Sequence, residues 1–198
     1  MKTPDILKIK KTLEKELDNK RFEHSIGVAY TAAALAMRYD ANVDQAYLAG
    51  LLHDCAKSVS DDKKIALCEK NHLKITETEY KNPSLLHAKA GSVLAAKEFH
   101  ISDNDILSAI EYHTTGKPCM NTLEKIIFIA DYIEPGRKQA PNLDIIRNLS
   151  FVDLDRSLLM IFEDTLNYLK SSNKEIDNTT QSAYEYYYQK ARKDDNHE

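Results

Sequence analysis

Apolar residues recur along this chain at intervals of three and four residues, the spacing that gathers them on one side of an α-helix. Ile26, Ala29, Ala33 and Ala36 form one such series. No run of alternating apolar and polar residues is long enough to indicate a strand. The pattern therefore predicts an all-α fold. Its helices are predicted over residues 5–19, 22–39, 43–54, 61–71, 83–99, 104–115, 122–134, 155–169 and 179–192.

Polar stretches and helix-breaking residues separate the predicted helices. Residues 71–83 are polar and are predicted as a surface loop, and residues 134–142, which contain Pro135 and Pro141, as another. The chain has 198 residues, no internal repeat and no second boundary in its composition, which suits one domain with its own core. We predict that residues 1–192 form this domain and that residues 193–198 are a disordered tail.

Composition and charge narrow the classes of partner. The chain carries 27 Lys and Arg against 31 Asp and Glu, a net charge of −4 that gives no general attraction to nucleic acid or to an anionic membrane. No apolar run approaches the ~20 residues that a membrane-spanning helix needs. Cys55, Cys68 and Cys119 form no CxxC pair, as is typical of a protein in a reducing compartment. We therefore predict a cytoplasmic protein without nucleic-acid or membrane partners.

The dipeptide His53-Asp54 is the first candidate for chemistry, because it interrupts an apolar run that begins at Leu51. A buried carboxylate must be paired with a cation or bind a metal. Adjacent residues of a helix point about 100° apart, so both can bind metal only if the helix ends there or if the Asp bridges two ions. The alternative is a helix C-terminus that favours the His, with the Asp in a salt bridge. The dipeptide alone leaves both open.

Four further residues of the same types stand in or beside apolar runs: His24, His87, His113 and Asp131. Each alone could be an ordinary core residue, and Asp131 could pair with Arg137. Together with His53 and Asp54 they form a set without thiolates, which suits iron, manganese, zinc or cobalt.

A site with two metal ions serves phosphoryl displacement, and cationic residues near the candidate ligands fit that chemistry. Arg21, Lys57 and Arg137 lie within a few residues of candidate ligands and could hold phosphate oxygens. Each of them could also be an ordinary surface charge.

The order of these residues, His24, His53-Asp54 and Asp131, resembles the HD-domain superfamily of metal-dependent phosphohydrolases. Longer phrases resemble, more narrowly, the YqeK family of that superfamily. These phrases are Arg21-x-x-His24-Ser25, Gly50-Leu51-Leu52-His53-Asp54-x-Ala56-Lys57, His113-Thr114-Thr115-Gly116 and Ala130-Asp131-Tyr132-Ile133-Glu134-Pro135-x-Arg137. The similarity extends from about residue 5 to residue 190.

The resemblance implies a single all-α HD-domain bundle with a dinuclear metal site that binds two transition-metal ions, iron or else manganese or cobalt. It assigns one ion to His24, His53, Asp54 and Asp131, and the other to Asp54, His87 and His113. The implied activity is the symmetrical hydrolysis of a dinucleoside polyphosphate, diadenosine tetraphosphate, to two ADP. A homodimer is a further expectation.

The resemblance also implies roles for residues around the metal ions. Asp54 and Lys57 are expected to be catalytic. The expected substrate contacts are Arg21, Lys57, His113, Thr114, Arg137 and Thr180. Family members tend to end in a segment like Ile-His-Pro-x-Thr-x-x-Ala that contacts nucleotide. The matching stretch here, residues 176–183, departs from it with Asp177 and Asn178 in place of the His and the Pro.

Three other functions are alternatives at this point. The first is another HD-domain phosphohydrolase that acts on other nucleotides or on cyclic dinucleotides, which a substrate panel would separate. The second is a di-iron oxygenase, which an unchanged anaerobic rate would exclude. The third is a non-catalytic nucleotide-binding module, against which the presence of all six candidate ligands and Lys57 argues.

Overall fold

A computed structural model describes residues 5–194, and this part of the chain contains α-helices and no strand, so the predicted all-α fold is confirmed. A 3₁₀ turn over Pro83–Leu86 precedes the sixth helix. The helices are α1 (Ile6–Glu16), α2 (Asn19–Arg38), α3 (Val43–Leu52), α4 (Asp61–Lys70), α5 (Glu77–Lys81), α6 (His87–Lys97), α7 (Asn104–Tyr112), α8 (Thr122–Ile133), α9 (Leu143–Leu149), α10 (Leu154–Ser171) and α11 (Asn178–Asp194).

The central helices α2, α3, α7 and α8 pack against one another and form the middle of the bundle. The approach of α2 to α3 depends on Gly50, because a Cβ atom there would lie 2.9 Å from the Cα atom of Ala29. Leu51 and Leu52 at the end of α3 are fully buried. The end of α3 therefore lies inside the bundle rather than at its surface, and the residues that follow it begin in the interior.

The start of α2 is set by Asp18, whose side chain accepts a hydrogen bond from the backbone N–H of Arg21 at 2.9 Å. His24 follows Arg21 by three positions, so the two side chains share one face of the helix. The cap thereby fixes where α2 begins. From α2, Arg21 reaches Asp54 just after α3 at 2.6 Å, and His24 lies 3.0 Å from Asp131 of α8.

Two helices occupy segments for which the sequence predicts none. The prediction of a surface loop over residues 71–83 is wrong for α5, a single turn closed by a capping box between Thr76 and Glu79. The second, α9, follows the predicted loop and carries Arg147, whose guanidinium donates to the backbone carbonyls of Ile133, Glu134 and Arg137 at 2.9, 3.0 and 2.9 Å. These hydrogen bonds from Arg147 hold the turn that follows α8 in place.

The last helix extends to Asp194, two residues beyond the predicted domain boundary. The other four residues of the predicted tail, 195–198, lie outside the described part of the chain. Among the described residues, no helix is both long enough and apolar enough to span a membrane.

Candidate metal centre

All six predicted metal ligands meet at the centre of the bundle. His24 lies in the second turn of α2, His53 and Asp54 directly follow α3, His87 opens α6, His113 directly follows α7, and Asp131 lies in the last turn of α8. The donor atoms of His24, His53 and Asp131 lie within 4.8 Å of one another, and so do those of His53, Asp54 and His113.

The geometric problem of the adjacent pair His53-Asp54 is solved by the end of the helix. α3 stops at Leu52, and the chain continues in tight turns in which the N–H of Cys55 donates to the carbonyl of Leu52 at 3.0 Å. His53 is fully buried and Asp54 is 2% exposed. The backbone angles of His53 are still helical, but the chain tightens into three-residue turns after α3, and Nε2 of His53 and Oδ2 of Asp54 lie 3.6 Å apart.

Three of the histidines are oriented in the same way. Each places its Nδ1 atom on the backbone carbonyl three residues earlier, which assigns the ring proton to Nδ1 and leaves the Nε2 lone pair for the cluster. The pairs are His53 with Gly50 at 2.6 Å, His87 with Ser84 at 2.7 Å and His113 with Ile110 at 2.7 Å. Gly50 and Ile110 lie in the last turn of a helix, where carbonyls lack partners in the helix, and the Ser84 carbonyl accepts the Nδ1–H of His87 in addition to its backbone N–H.

The carboxylate of Asp54 stands between two groups of ring nitrogens. Its Oδ2 atom is 3.6 Å from Nε2 of His53, whereas its Oδ1 atom is 3.2 Å from Nε2 of His87 and 3.7 Å from Nε2 of His113. On the far side of His53, Oδ1 of Asp131 lies 3.9 Å from its Nε2 atom and 3.0 Å from Nε2 of His24. The two oxygens of Asp54 thus face different sets of nitrogen donors.

Three ligand atoms in this cluster are buried and have no hydrogen-bond partner among the described residues: Nε2 of His24, Nε2 of His53 and Oδ1 of Asp54. Buried polar atoms are rarely left unpaired in proteins. Imidazole and carboxylate donors without thiolates suit divalent ions such as iron, manganese, cobalt or zinc. The residues present therefore fit a metal centre.

The protonation states of these groups also suit metal binding. Burial lowers the pKa of His53 to about 4, so the ring is neutral at pH 7. Burial by itself would raise the pKa of Asp54, but the neighbouring His53, His113 and His87 lower it well below the usual range of a carboxyl group. A neutral imidazole and an ionised carboxylate are the forms that bind a metal ion.

The predicted cationic residues surround the two carboxylates. Nη1 of Arg21 is 2.6 Å from Oδ2 of Asp54, and Nη2 of Arg137 is 2.7 Å from Oδ1 of Asp131. The ion pair between Arg137 and Asp131 is the one that the sequence analysis gave as an alternative to metal binding by Asp131. Nζ of Lys57 lies 3.1 Å from Nε2 of His87 and 3.8 Å from Oδ1 of Asp54. All three cations are within reach of the same small volume.

Thr114 and Thr180 are placed differently. Oγ1 of Thr114 lies 3.1 Å from the Nε2 atoms of both His87 and His113, at the edge of the candidate metal centre. Thr180 is 6% exposed in the first turn of α11, and no hydrogen bond or ion pair of the described residues joins it to the cluster. The role of Thr180 in substrate binding stays a prediction.

Sequence reasoning missed Glu134, which is 4% exposed and has its Oε1 atom 3.1 Å from Nδ1 of His24. Burial alone would lower the pKa of His24, but the carboxylates of Asp131 and Glu134 outweigh it and raise that pKa. The sequence did contain a signal for Glu134: a negative charge at the C-terminus of a helix is electrostatically unfavourable, so an acidic residue there indicates a specific partner. Glu134 is the C-cap of α8.

A cavity of about 930 Å³ opens beside His24 and Arg137. Its other lining residues include Lys20, Arg21 and Lys138, so four cationic side chains face it together with Glu23 and Glu134. The cavity thus lies beside His24, one of the six candidate ligands, and its cationic side chains are suited to an extended anionic ligand.

Comparison with known proteins identifies the class to which this helical fold and its His and Asp cluster belong. The model of the HD domain matches residues 21–136, which contain all six candidate ligands. The crystal structure of a predicted HD-superfamily hydrolase involved in NAD metabolism, from Clostridium acetobutylicum, superposes with a TM-score of 0.91. It is 40% identical in sequence, and the superposition covers 94% of this chain and 98% of that one.

Two bacterial relatives narrow the class further. The symmetrical bis(5'-nucleosyl)-tetraphosphatase of Bacillus subtilis (strain 168) is 37% identical over 83% of this chain and 87% of its own length. The enzyme of the same name from Staphylococcus aureus is 36% identical over 92% of this chain and 94% of its own length. The chain therefore belongs to the HD-domain family and, within it, to the group that these tetraphosphatases represent.

Proposed function

We propose that this protein hydrolyses diadenosine tetraphosphate symmetrically to two ADP. Its bacterial relatives, which are named symmetrical bis(5'-nucleosyl)-tetraphosphatases, support this proposal. The observation that supports it most is the position of Asp54, whose two oxygens face separate sets of histidine nitrogens. One carboxylate between two donor sets is the arrangement that a pair of metal ions requires.

In this proposal His24, His53, Asp54 and Asp131 hold one ion, and Asp54, His87 and His113 hold the other. Two bound ions would lower the pKa of a water molecule between them and neutralise charge on the phosphoryl oxygens. We propose iron as the metal, with manganese or cobalt as replacements, as the resemblance to the YqeK family implies; the imidazole and carboxylate donors are compatible with all three.

The cationic side chains position the phosphate chain. Arg21, Lys57 and Arg137 each reach a candidate ligand carboxylate, at 2.6, 3.8 and 2.7 Å, so each can also reach phosphate oxygens bound beside it. Thr114 contributes a hydroxyl at the His87 and His113 side of the centre. The remaining nucleotide extends into the cationic cavity lined by Lys20 and Lys138.

The position of the cleaved bond is determined by which part of the substrate is bound. In this proposal one nucleoside diphosphate half is held at the metal centre. Water adds to the second phosphorus from that adenosine, and the bond from this phosphorus to the oxygen that it shares with the third phosphorus breaks. That oxygen leaves on the second ADP. The distance from the adenosine to the reacting phosphorus is set by the anchored half, so the position of the cut does not depend on the length of the rest of the chain.

Product analysis tests this proposal directly. Early products from diadenosine tetraphosphate should be ADP alone, and those from the pentaphosphate should be ADP and ATP in equal amounts. In ¹⁸O-labelled water, each turnover should place one label in ADP. Chromatography and mass spectrometry of the first tenth of the reaction measure both. AMP and ATP in equal amounts from the tetraphosphate would contradict the symmetrical cut, even for a protein with two bound ions.

Metal content gives a second test, independent of substrate. Protein purified without chelator should contain close to two transition-metal ions per chain, because the two oxygens of Asp54 face different histidine nitrogens, Oδ2 at 3.6 Å and Oδ1 at 3.2 and 3.7 Å. Elemental analysis of the protein, before and after dialysis against a chelator, measures the content. A protein that contains no metal and regains no activity with iron, manganese or cobalt would refute the two-metal proposal.

A second candidate is hydrolysis of another nucleotide at the same site. The description of the Clostridium acetobutylicum structure as a protein of NAD metabolism favours testing pyridine dinucleotides. A panel of nucleoside mono- and triphosphates, cyclic dinucleotides and pyridine dinucleotides, ranked by kcat/KM, distinguishes the candidates. An unchanged rate without oxygen separates all of them from an oxygenase.

Cytoplasmic location and a homodimer belong to the proposal as well. All three cysteines are free thiols, which supports a reducing compartment. Tyr30, Met37, Ile145 and Phe151 are large apolar side chains between 40% and 67% exposed, which supports an interface with a second copy. Analytical ultracentrifugation tests the dimer.

A further inference from the structure

The histidines of the centre differ in how their second ring nitrogen is held. His53, His87 and His113 lie just after a helix or a 3₁₀ turn, and each donates its Nδ1–H to a backbone carbonyl three residues earlier. His24 differs: it lies inside α2, and its Nδ1 atom faces a side chain of another element rather than a carbonyl of its own helix. An acceptor for its Nδ1–H must come from another element.

Glu134 is that acceptor. Its Oε1 atom lies 3.1 Å from Nδ1 of His24, and its Oε2 atom accepts the backbone N–H of Gly136 at 2.5 Å. Both oxygens are therefore used, and the carboxylate has one orientation. Glu134 is 4% exposed, and among the described residues the only basic side chain within ion-pair distance is His24. A buried carboxylate with no Lys or Arg partner is costly to fold.

The surrounding chain is shaped for this contact. Gly27, one turn after His24, has Glu134 where a side chain would be, since a Cβ atom there would lie 2.6 Å from Oε2 of Glu134. The guanidinium of Arg147 holds the backbone carbonyls of Glu134 and its neighbours from α9. Gly27 of α2 and Arg147 of α9 thus both help to hold the contact between Glu134, at the end of α8, and His24.

We infer that Glu134 is a positioning residue for the metal centre: it fixes His24 as the Nδ1–H tautomer and aims its Nε2 atom at the ion shared with His53 and Asp131. This inference rests on the two-metal site of the proposed function. A carboxylate that accepts the second N–H of a metal-binding histidine also makes the ring a stronger donor. It follows that the ion on the His24 side should depend on Glu134, and the ion on the His87 side should not.

The test is chelator competition on the full-length protein reconstituted with Co²⁺. Glu134→Gln should weaken binding of one of the two ions by about tenfold to a hundredfold and leave the other unchanged. Glutamine has a single acceptor oxygen, so it cannot accept from both His24 and Gly136. Glu124→Gln is the matched control, because Glu124 is also buried, at 2% exposed, but lies in the first turn of α8. Its carboxylate pairs there with Lys117 and accepts the backbone N–H of Asn121. It should lower the melting temperature without changing either affinity.

Gly27→Ala provides a second variant should Glu134→Gln not fold. Alanine favours the helix more than glycine does, while its Cβ atom displaces the Glu134 carboxylate. It should weaken the same ion without lowering the stability of α2. A spectroscopic readout is the imidazole N–H signal of His24 in the Zn²⁺-loaded protein, which should exchange slowly in the wild type and rapidly in both variants.

The possible results distinguish a failure of the metal centre from a failure of the role inferred for Glu134. A wild-type protein that binds no ion overturns the metal centre and this inference together. If the wild type binds two ions and Glu134→Gln binds both with unchanged affinity, only the inference is wrong. The same conclusion holds if Glu134→Gln and Glu124→Gln lower the melting temperature equally and neither changes metal binding.

Discussion

Replacing Asp54 by alanine should lower turnover of diadenosine tetraphosphate at least a hundredfold, an increase in the barrier of about 2.7 kcal/mol or more. The reason is that its two oxygens face the nitrogen donors of both proposed metal sites, at 3.2 to 3.7 Å. Both ions should therefore bind more weakly. His87→Ala should mainly affect one ion, because His87 contributes to a single donor set.

The measurements are steady-state turnover and metal content of the same protein samples. Asp54→Asn preserves the shape of the side chain and separates loss of the ligand from loss of packing. Glu79→Gln is the matched control, since Glu79 is also buried, at 2% exposed, but its carboxylate pairs with Lys89 and accepts the backbone N–H of Thr76, and no hydrogen bond or ion pair of the described residues joins it to the six candidate ligands. Near-normal turnover of Asp54→Ala would contradict the bridging role.

Replacing Lys57 or Arg137 by alanine should lower kcat/KM about tenfold to a hundredfold, because a charge-assisted hydrogen bond to phosphate contributes roughly 1.5–3 kcal/mol. Charge builds up on the phosphate oxygens as ADP leaves, and both cations lie beside the candidate ligands. Metal content should stay at two ions per chain, because neither side chain is a proposed ligand.

Kinetics and elemental analysis of the purified variants check this second expectation. Lys63→Ala and Arg156→Ala serve as matched controls, since both side chains are exposed on other helices. If Lys57→Ala and Arg137→Ala retain full kcat/KM, the two residues are ordinary charges. A loss of metal in Arg137→Ala would instead indicate that its contact with Asp131 serves to hold that ligand in place.

Much of this molecule follows from local sequence. Helical spacing and caps such as Asp18 determine where most helices lie, because these signals act within a few residues. The placement of Asp54 in an apolar run indicated a buried charge that needs compensation, and the structure buries it. The sequence motifs also identified the HD-domain family, which the comparison confirms over residues 21–136.

Other features depend on contacts between distant segments. The helix α9 and the contacts of Arg147 with the turn after α8 could not be read from a periodic pattern, since α9 has only seven residues. The pairing of Glu134 with His24 joins residues 110 positions apart. The role of Thr180 in substrate binding, which the family motif implies, stays a prediction; among the described residues no hydrogen bond or ion pair joins it to the cluster.

By itself, the sequence determined where most helices lie, that Asp54 needs compensation for its burial, and which residues are candidate metal ligands, because propensity, periodicity and side-chain chemistry are local properties. Only the tertiary structure decided how close each ligand atom lies to the two oxygens of Asp54, and which group orients each histidine. Those relations are set by where the ends of α3, α7 and α8 meet, and that depends on the packing of the whole bundle.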